Sequence, residues 1–266
     1  MSAGVGLLNV LIGAIYLAVG TMTIMELRGG RSRMGFSHFG AAWIAMTLTC
    51  GPHHLTHGTH VLLEGRNAGA LDLVTALIAL PAGLIWFLLR VEAFRGGRGD
   101  RHLPSTPVWL AAMPVLVGVY VGAIAAVAAQ GPAPRLDRVL YVLPNAGLIV
   151  VYVTIGIYLV RTQLANQRQL RGWSVSGLAL SAAFPTCALM HATYGFYVLT
   201  GRYAPDWHGL VFDTLAIPAS LYFLWVVQAL HRGSFRDWNA VKGATRTTPA
   251  AGASSSVASS VPKVAA

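Results

Sequence analysis

Apolar, almost uncharged runs near 20 residues recur along the chain, at about 5–25, 38–61, 71–91, 108–129, 139–160, 174–199 and 208–230. Each is long enough to cross ~30 Å of hydrocarbon as a helix. In hydrocarbon the backbone must satisfy its own hydrogen bonds, so spans of this length are helical. Composition agrees: the 266 residues are 55% hydrophobic and only 11% charged, with a mean hydropathy of +0.59, too little polar surface to coat a water-soluble globule. The expected class is an all-α polytopic membrane protein with seven transmembrane helices. The first run begins by residue 5 without a basic n-region or a small-residue cleavage site, so it is expected to remain a helix of the bundle and not to act as a signal peptide.

The net charge of +10 would suggest nucleic acid in a soluble domain, but the placement of the basic residues argues against it. Arg28, Arg31 and Arg33 follow the first run, and Arg90, Arg95, Arg98 and Arg101 the third. Arg161, Arg168 and Arg171 follow the fifth, and Arg232, Arg236, Lys242, Arg246 and Lys263 the seventh. Only Arg66, Arg135, Arg138 and Arg202 fall on the other side. The positive-inside rule then puts the N-terminus out and the C-terminus in the cytoplasm of a multi-pass cell-membrane protein. The partner this implies is the lipid bilayer, with no nucleic acid.

An internal repeat organises the chain. At an offset of 137, Thr49, Cys50, His54, Thr56, Gly58, Val61 and Leu62 meet Thr186, Cys187, His191, Thr193, Gly195, Val198 and Leu199. The match continues from Ala79, Pro81, Ala82, Leu84, Arg95 and Gly96 to Ala216, Pro218, Ala219, Leu221, Arg232 and Gly233. Runs two and three thus repeat as six and seven, while runs one and five match poorly at that offset. The expected plan is a 3+1+3 parallel-repeat bundle over 1–233, with units at about 5–96 and 139–233 and a linker helix at about 108–129. The offset spans an even number of helices, so the axis relating the units lies along the membrane normal. Residues 234–266, rich in Ala, Ser, Thr and Gly, read as a disordered cytoplasmic tail. The layout resembles that of SWEET and PQ-loop transporters and, more distantly, of opsins and G-protein-coupled receptors. A retinal Schiff base is excluded, because no lysine precedes Lys242.

The chemistry-bearing residues sit in the repeat. Cys50, His54 and His57 share one helical face, with His53 and His60 beside it, and Cys187, His191 and Tyr194 repeat the stripe. If the two stripes face each other, Cys50, His54, Cys187 and His191 converge as two thiols and two imidazoles, a donor set for zinc, copper or iron. As a packing alternative, Cys serves as a small hydrophobe and His caps a carbonyl freed by Pro52 or Pro185. Neither cysteine lies in an outer loop, so no disulfide is expected. Asp213, one turn inside the last run, needs a partner such as His208 or a bound ion. Prolines at 52, 81, 185 and 218 offer kinks, or simply packing.

The string Met190-His191-x-Thr193-x-Gly195 resembles the Met-His-Tyr-Thr signature of MHYT sensor domains, which implies a copper site at outer helix ends. It departs from that signature in an extra residue between Thr and Gly, in a missing second Met, and in His53 where the first copy needs Met. Ceramidase- and adiponectin-receptor-type hydrolases place His-x3-His in the last helix, whereas His53 and His57 lie in the second.

Four functions remain open at this point. The first is a transition-metal transporter or sensor held by Cys50, His54, His57, Cys187, His191, His208 and Asp213. The second is a redox protein with His54 and His191 as axial ligands of a haem. The third is a metal-dependent hydrolase with Asp213 or Glu64 as base, and the fourth is a metal-free small-molecule transporter.

Overall fold

A computed structural model describes residues 1–65, 67–205 and 207–233. Arg66, Asp206 and the expected disordered tail 234–266 lie outside the described residues. Seven α-helices follow one another: α1 (Ser2–Met34), α2 (His38–Glu64), α3 (Ala70–Phe94), α4 (Val108–Ala129), α5 (Val139–Leu170), α6 (Val175–Leu199) and α7 (Trp207–His231). A two-residue strand pair, β1 (His102–Leu103) with β2 (Trp173–Ser174), joins the loop after α3 to the start of α6. Helices α1 and α5 outrun their apolar stretches, continuing past Arg28 and Arg161.

Five of these helices, α1, α3, α5, α6 and α7, are long and apolar enough to cross a membrane, against the seven crossings expected. In α2 the shortfall has a plain cause: His53, His54, His57 and His60 and four threonines lower its hydropathy. In α4 the shorter stretch Val115–Ala129 is apolar. Outward-facing side chains such as Leu77, Leu88, Val119, Val150 and Leu215 are exposed, while Asn9, Thr75, Asn145 and Asp213 are buried. A water-soluble bundle reverses that distribution, so the outer surface is one that lipid covers.

The helices pack as a closed ring in the order α1, α2, α7, α5, α6, α3. Trp43 and Met46 of α2, Tyr152 of α5, Phe184 of α6 and Phe223 of α7 meet in its largest apolar cluster. Helix α4 lies outside the ring, tied to it where the Tyr120 hydroxyl meets Thr75 of α3 and Thr193 of α6.

Glycines set the tightest contact, between α1 and α2. A Cβ on Gly13 would meet the Gly51 carbonyl oxygen at 2.8 Å and the Leu55 amide nitrogen at 2.9 Å, and one on Gly58 would meet the Gly6 carbonyl oxygen at 2.7 Å. Without water to drive apolar helices together, such close backbone approach is what holds them. At the opposite end of the bundle from the α2–α3 loop, Ser37 and Ser174 cap α2 and α6 by accepting from the amides of Gly40 and Gly177, at 2.9 and 3.0 Å.

The α6 start is further clasped by Asp100 from the loop after α3. Its carboxylate accepts from the Ser174 hydroxyl at 2.6 Å and from the Ser176 amide at 2.8 Å. Burial pushes the Asp100 carboxyl up, but these donors overcome it and hold the group below the usual carboxylate range.

Two outcomes follow for stability. Gly13→Ala sets a methyl against backbone atoms that cannot rotate away, and should cost about 1–3 kcal/mol, read as a lowered unfolding midpoint in detergent. Asp100→Asn should cost about 1 kcal/mol at neutral pH, as for other helix N-terminal carboxylates. Because the folded-state pKa is depressed, the wild-type advantage is complete above the unfolded value of about 3.9 and disappears as pH falls through the lower folded value. An advantage unchanged at acid pH would refute the clasp.

Candidate functional site

The ring encloses a small cavity of about 50 Å³ whose lining includes Cys50, His53, His54 and His57 of α2, Cys187 and His191 of α6, and Asp213 of α7. Six of the seven residues expected at a site therefore share one wall-to-wall space: Cys50, His54, His57, Cys187, His191 and Asp213. His208 does not line it, but packs against His60 with ring centroids 5.3 Å apart. Facing of α2 and α6 is seen directly in the side chains, with the rings of His53 and His191 6.0 Å apart across the space.

Of the imidazoles expected to act as ligands, His54 and His191 are each fixed from behind by an asparagine of the neighbouring helix. Nδ1 of His54 lies 2.8 Å from Oδ1 of Asn9 on α1, and Nδ1 of His191 lies 2.7 Å from Oδ1 of Asn145 on α5. The amide orientations follow from the surrounding bonds. Asn9 uses its Nδ2 to donate to the Val5 carbonyl, and Asn145 uses its Nδ2 to donate to Asp213 Oδ2 at 2.7 Å. A carbonyl or carboxylate can only accept, so each asparagine presents oxygen to histidine. Nδ1 must then carry the hydrogen, which leaves Nε2 of each neutral ring with its lone pair.

The cysteines are also tied in pairs. The Tyr16 hydroxyl lies 3.1 Å from Cys187 Sγ, and the Tyr152 hydroxyl 3.3 Å from Cys50 Sγ. The same tyrosines lie against the histidines, Tyr16 stacked on His54 at 5.9 Å and Tyr152 tilted against His191 at 5.5 Å. Both thiols line a second, smaller space beneath, floored by Trp43, Met46 and Phe184.

Asp213 has no exposed surface, and its partner differs from the His208 expected. His53 Nδ1 stands 2.9 Å from its Oδ1, and His191 Nδ1 stands 3.7 Å away. A carboxylate in this setting is tolerable only when paired and hydrogen-bonded, and the pair with His53 plus the Asn145 amide meet both needs. Among the described residues, no three His, Cys, Asp or Glu side chains form a ready-made metal centre.

Asn9, Tyr16, Asn145 and Tyr152 were not among the expected site residues, although a signal for them exists. Asn-x6-Tyr-x3-Gly occurs as Asn9, Tyr16 and Gly20 and again as Asn145, Tyr152 and Gly156. These pairs stand 136 apart, one residue short of the offset that aligns Cys50 with Cys187, so a single fixed offset hides them.

Comparison with protein-family models, curated proteins and solved structures finds none that matches this chain. What the site does rests on its own geometry.

The two asparagines differ in load, since only Asn145 also serves a carboxylate. Asn145→Ala should destabilise the protein by about 2–4 kcal/mol and Asn9→Ala by about 1–2 kcal/mol. Equal losses in thermal unfolding would mean that Asn145 does not support Asp213.

Proposed function

We propose that this protein binds a transition-metal ion inside the bilayer, to transport or sense it, with Nε2 of His54 and His191 as the principal ligands and Cys50 and Cys187 as the adjoining sulfur donors. The observation that carries this reading is the duplicated asparagine behind the histidines. Metal-ligating imidazoles characteristically give their other ring N–H to a carbonyl or carboxylate, which fixes the tautomer and raises the basicity of the ligating nitrogen. Both histidines have such a partner here.

The reading extends to architecture. Two three-helix units, α1 to α3 and α5 to α7, would be related by a twofold axis along the membrane normal, with α4 as linker. In support, the ring contacts fall into matched sets: α1 with α2 as α5 with α6, α1 with α3 as α5 with α7, and α2 with α7 as α6 with α3. Site contacts pair in the same way, as do the serine caps Ser37 and Ser174. Each unit would supply a His and a Cys. Ligation by both would draw α2 and α6 inward, and that movement is how ion binding would reach the rest of the bundle.

The size of the cavity favours a bare ion over a haem. A space of about 50 Å³ holds a few waters or one ion, whereas cofactor pockets run to about 300–1,000 Å³. Hydrolysis through Asp213 is the weaker reading, because the carboxylate is already paired with His53 and hydrogen-bonded by the Asn145 amide.

Elemental analysis and an absorbance spectrum of the purified full chain test the proposal. About one transition-metal ion per chain is expected, lost when His54 and His191 are both replaced by Ala. Asn9→Ala or Asn145→Ala should weaken affinity about 10- to 100-fold. Metal retained by the double histidine variant would overturn the assignment, and a Soret band would replace the ion with haem.

A further inference from the structure

A second polar space lies between α1, α2 and α3, at the end of the bundle that the arginines assign to the cytoplasm. It measures about 130 Å³, larger than the cavity beside the histidines, and its lining includes Glu26, Phe39, Trp43, Trp86 and Arg90. Glu26 and Arg90 form an ion pair across it. The indole N–H groups of Trp43 and Trp86 are both buried and have no hydrogen-bond partner among the described residues. Trp43 is only 5% exposed. A buried donor left unpaired costs about 1–3 kcal/mol, and both of these belong to side chains that line the cavity.

The other half of the bundle shows that the scaffold does not need this cavity. The positions corresponding to Glu26, Trp43, Trp86 and Arg90 are Thr162, Leu180, Phe223 and Val227. Leu180, Phe223 and Val227 are buried and belong to the central apolar cluster. At these positions one half carries Thr162 and three apolar side chains, with Gln163 buried in the place of Leu27, and the other keeps two charges and two indole donors.

We propose that this cavity binds a zwitterion carrying a primary ammonium and an oxyanion, either the phosphoethanolamine headgroup of a membrane lipid or a free amino acid. Its oxyanion would accept from the two indoles and from Arg90, whose guanidinium has more donors than Glu26 can use. Its ammonium would donate to Glu26. The ion pair is neutral overall, and that selects the class. A net anion would meet the Glu26 carboxylate, a net cation would meet Arg90, and a zwitterion satisfies both. Phe39 and the two indole rings line the space beside the ion pair.

The proposal is independent of the metal reading, and its test separates the two. The full chain is placed in nanodiscs of phosphatidylcholine with and without phosphatidylethanolamine, and in detergent is titrated with glycerophosphoethanolamine, glycine and glycerophosphocholine. Unfolding midpoint, tryptophan fluorescence and metal content are recorded. A stabilising shift with phosphatidylethanolamine or glycerophosphoethanolamine identifies a lipid headgroup, and one with glycine alone identifies a free amino acid. Glycerophosphocholine, which lacks an N–H for Glu26, should give none. Trp86→Phe keeps the ring and should weaken binding about tenfold, the worth of one buried hydrogen bond. The combined change E26T/W86F/R90V removes both charges and the indole donor that lies away from the thiols, and should abolish the shift with metal content unchanged. If no zwitterion shifts either readout, the cavity holds water only and the proposal fails. It fails equally if the shift persists in both variants.

Discussion

Asp213 imposes the strongest demand on the bundle. A carboxylate without exposed surface, on a helix surrounded by apolar neighbours, has to find its counter-charge and its hydrogen bonds inside the protein. It takes His53 from α2 and Asn145 from α5, and Asn145 passes the constraint to His191 on α6. Four helices are thereby held in register by one side chain. The apolar cluster of Trp43, Tyr152, Phe184 and Phe223 packs directly beneath, but apolar contacts alone tolerate sliding. The polar network fixes which faces meet.

That network also breaks the equivalence of the two halves. Where one side has His53 and Asp213, the corresponding positions are Met190 and Ala76, which pack together in a small apolar cluster. The shared Asn, Tyr, Cys and His positions thus surround the cavity evenly, while the single ion pair lies to one side of it. An arriving cation would meet an uneven field, with the Asp213 charge nearer to His191 than to His54. A similar difference recurs at the far end of the bundle, where Glu26 and Arg90 correspond to Thr162 and Val227.

Much of the helical plan was legible in the sequence because membrane spans are written in long apolar runs. What hydropathy alone does not carry is α2, whose histidines make it the least membrane-like of the ring helices while placing it against the site. The Cys and His positions were visible because α2, α3, α6 and α7 keep a constant spacing. Their supports on α1 and α5 were not, since a change of one residue between helices shifts the offset. The pairing of His53 with Asp213 lies further from reach: the two sit on different units at non-equivalent positions, and no periodicity connects them. His208 was the near neighbour in sequence, but helical geometry turns it towards His60.

The crossing of the tyrosine and cysteine pairs bears on ancestry. Tyr16 and Cys50 belong to one proposed unit, yet Tyr16 meets the thiol of the other, and Tyr152 returns the contact. Each unit completes its own asparagine–histidine pair, but neither completes its own tyrosine–cysteine pair. A forebear of half this length would have assembled the site only as a pair of parallel subunits, each lending its hydroxyl to the other. Fusing such subunits end to end raises a parity problem, because three crossings leave the chain on the wrong side to begin the next copy. In the proposed 3+1+3 plan one further crossing would restore the direction, and α4, which lies outside the ring and meets it through Tyr120, is the length of chain that would supply it.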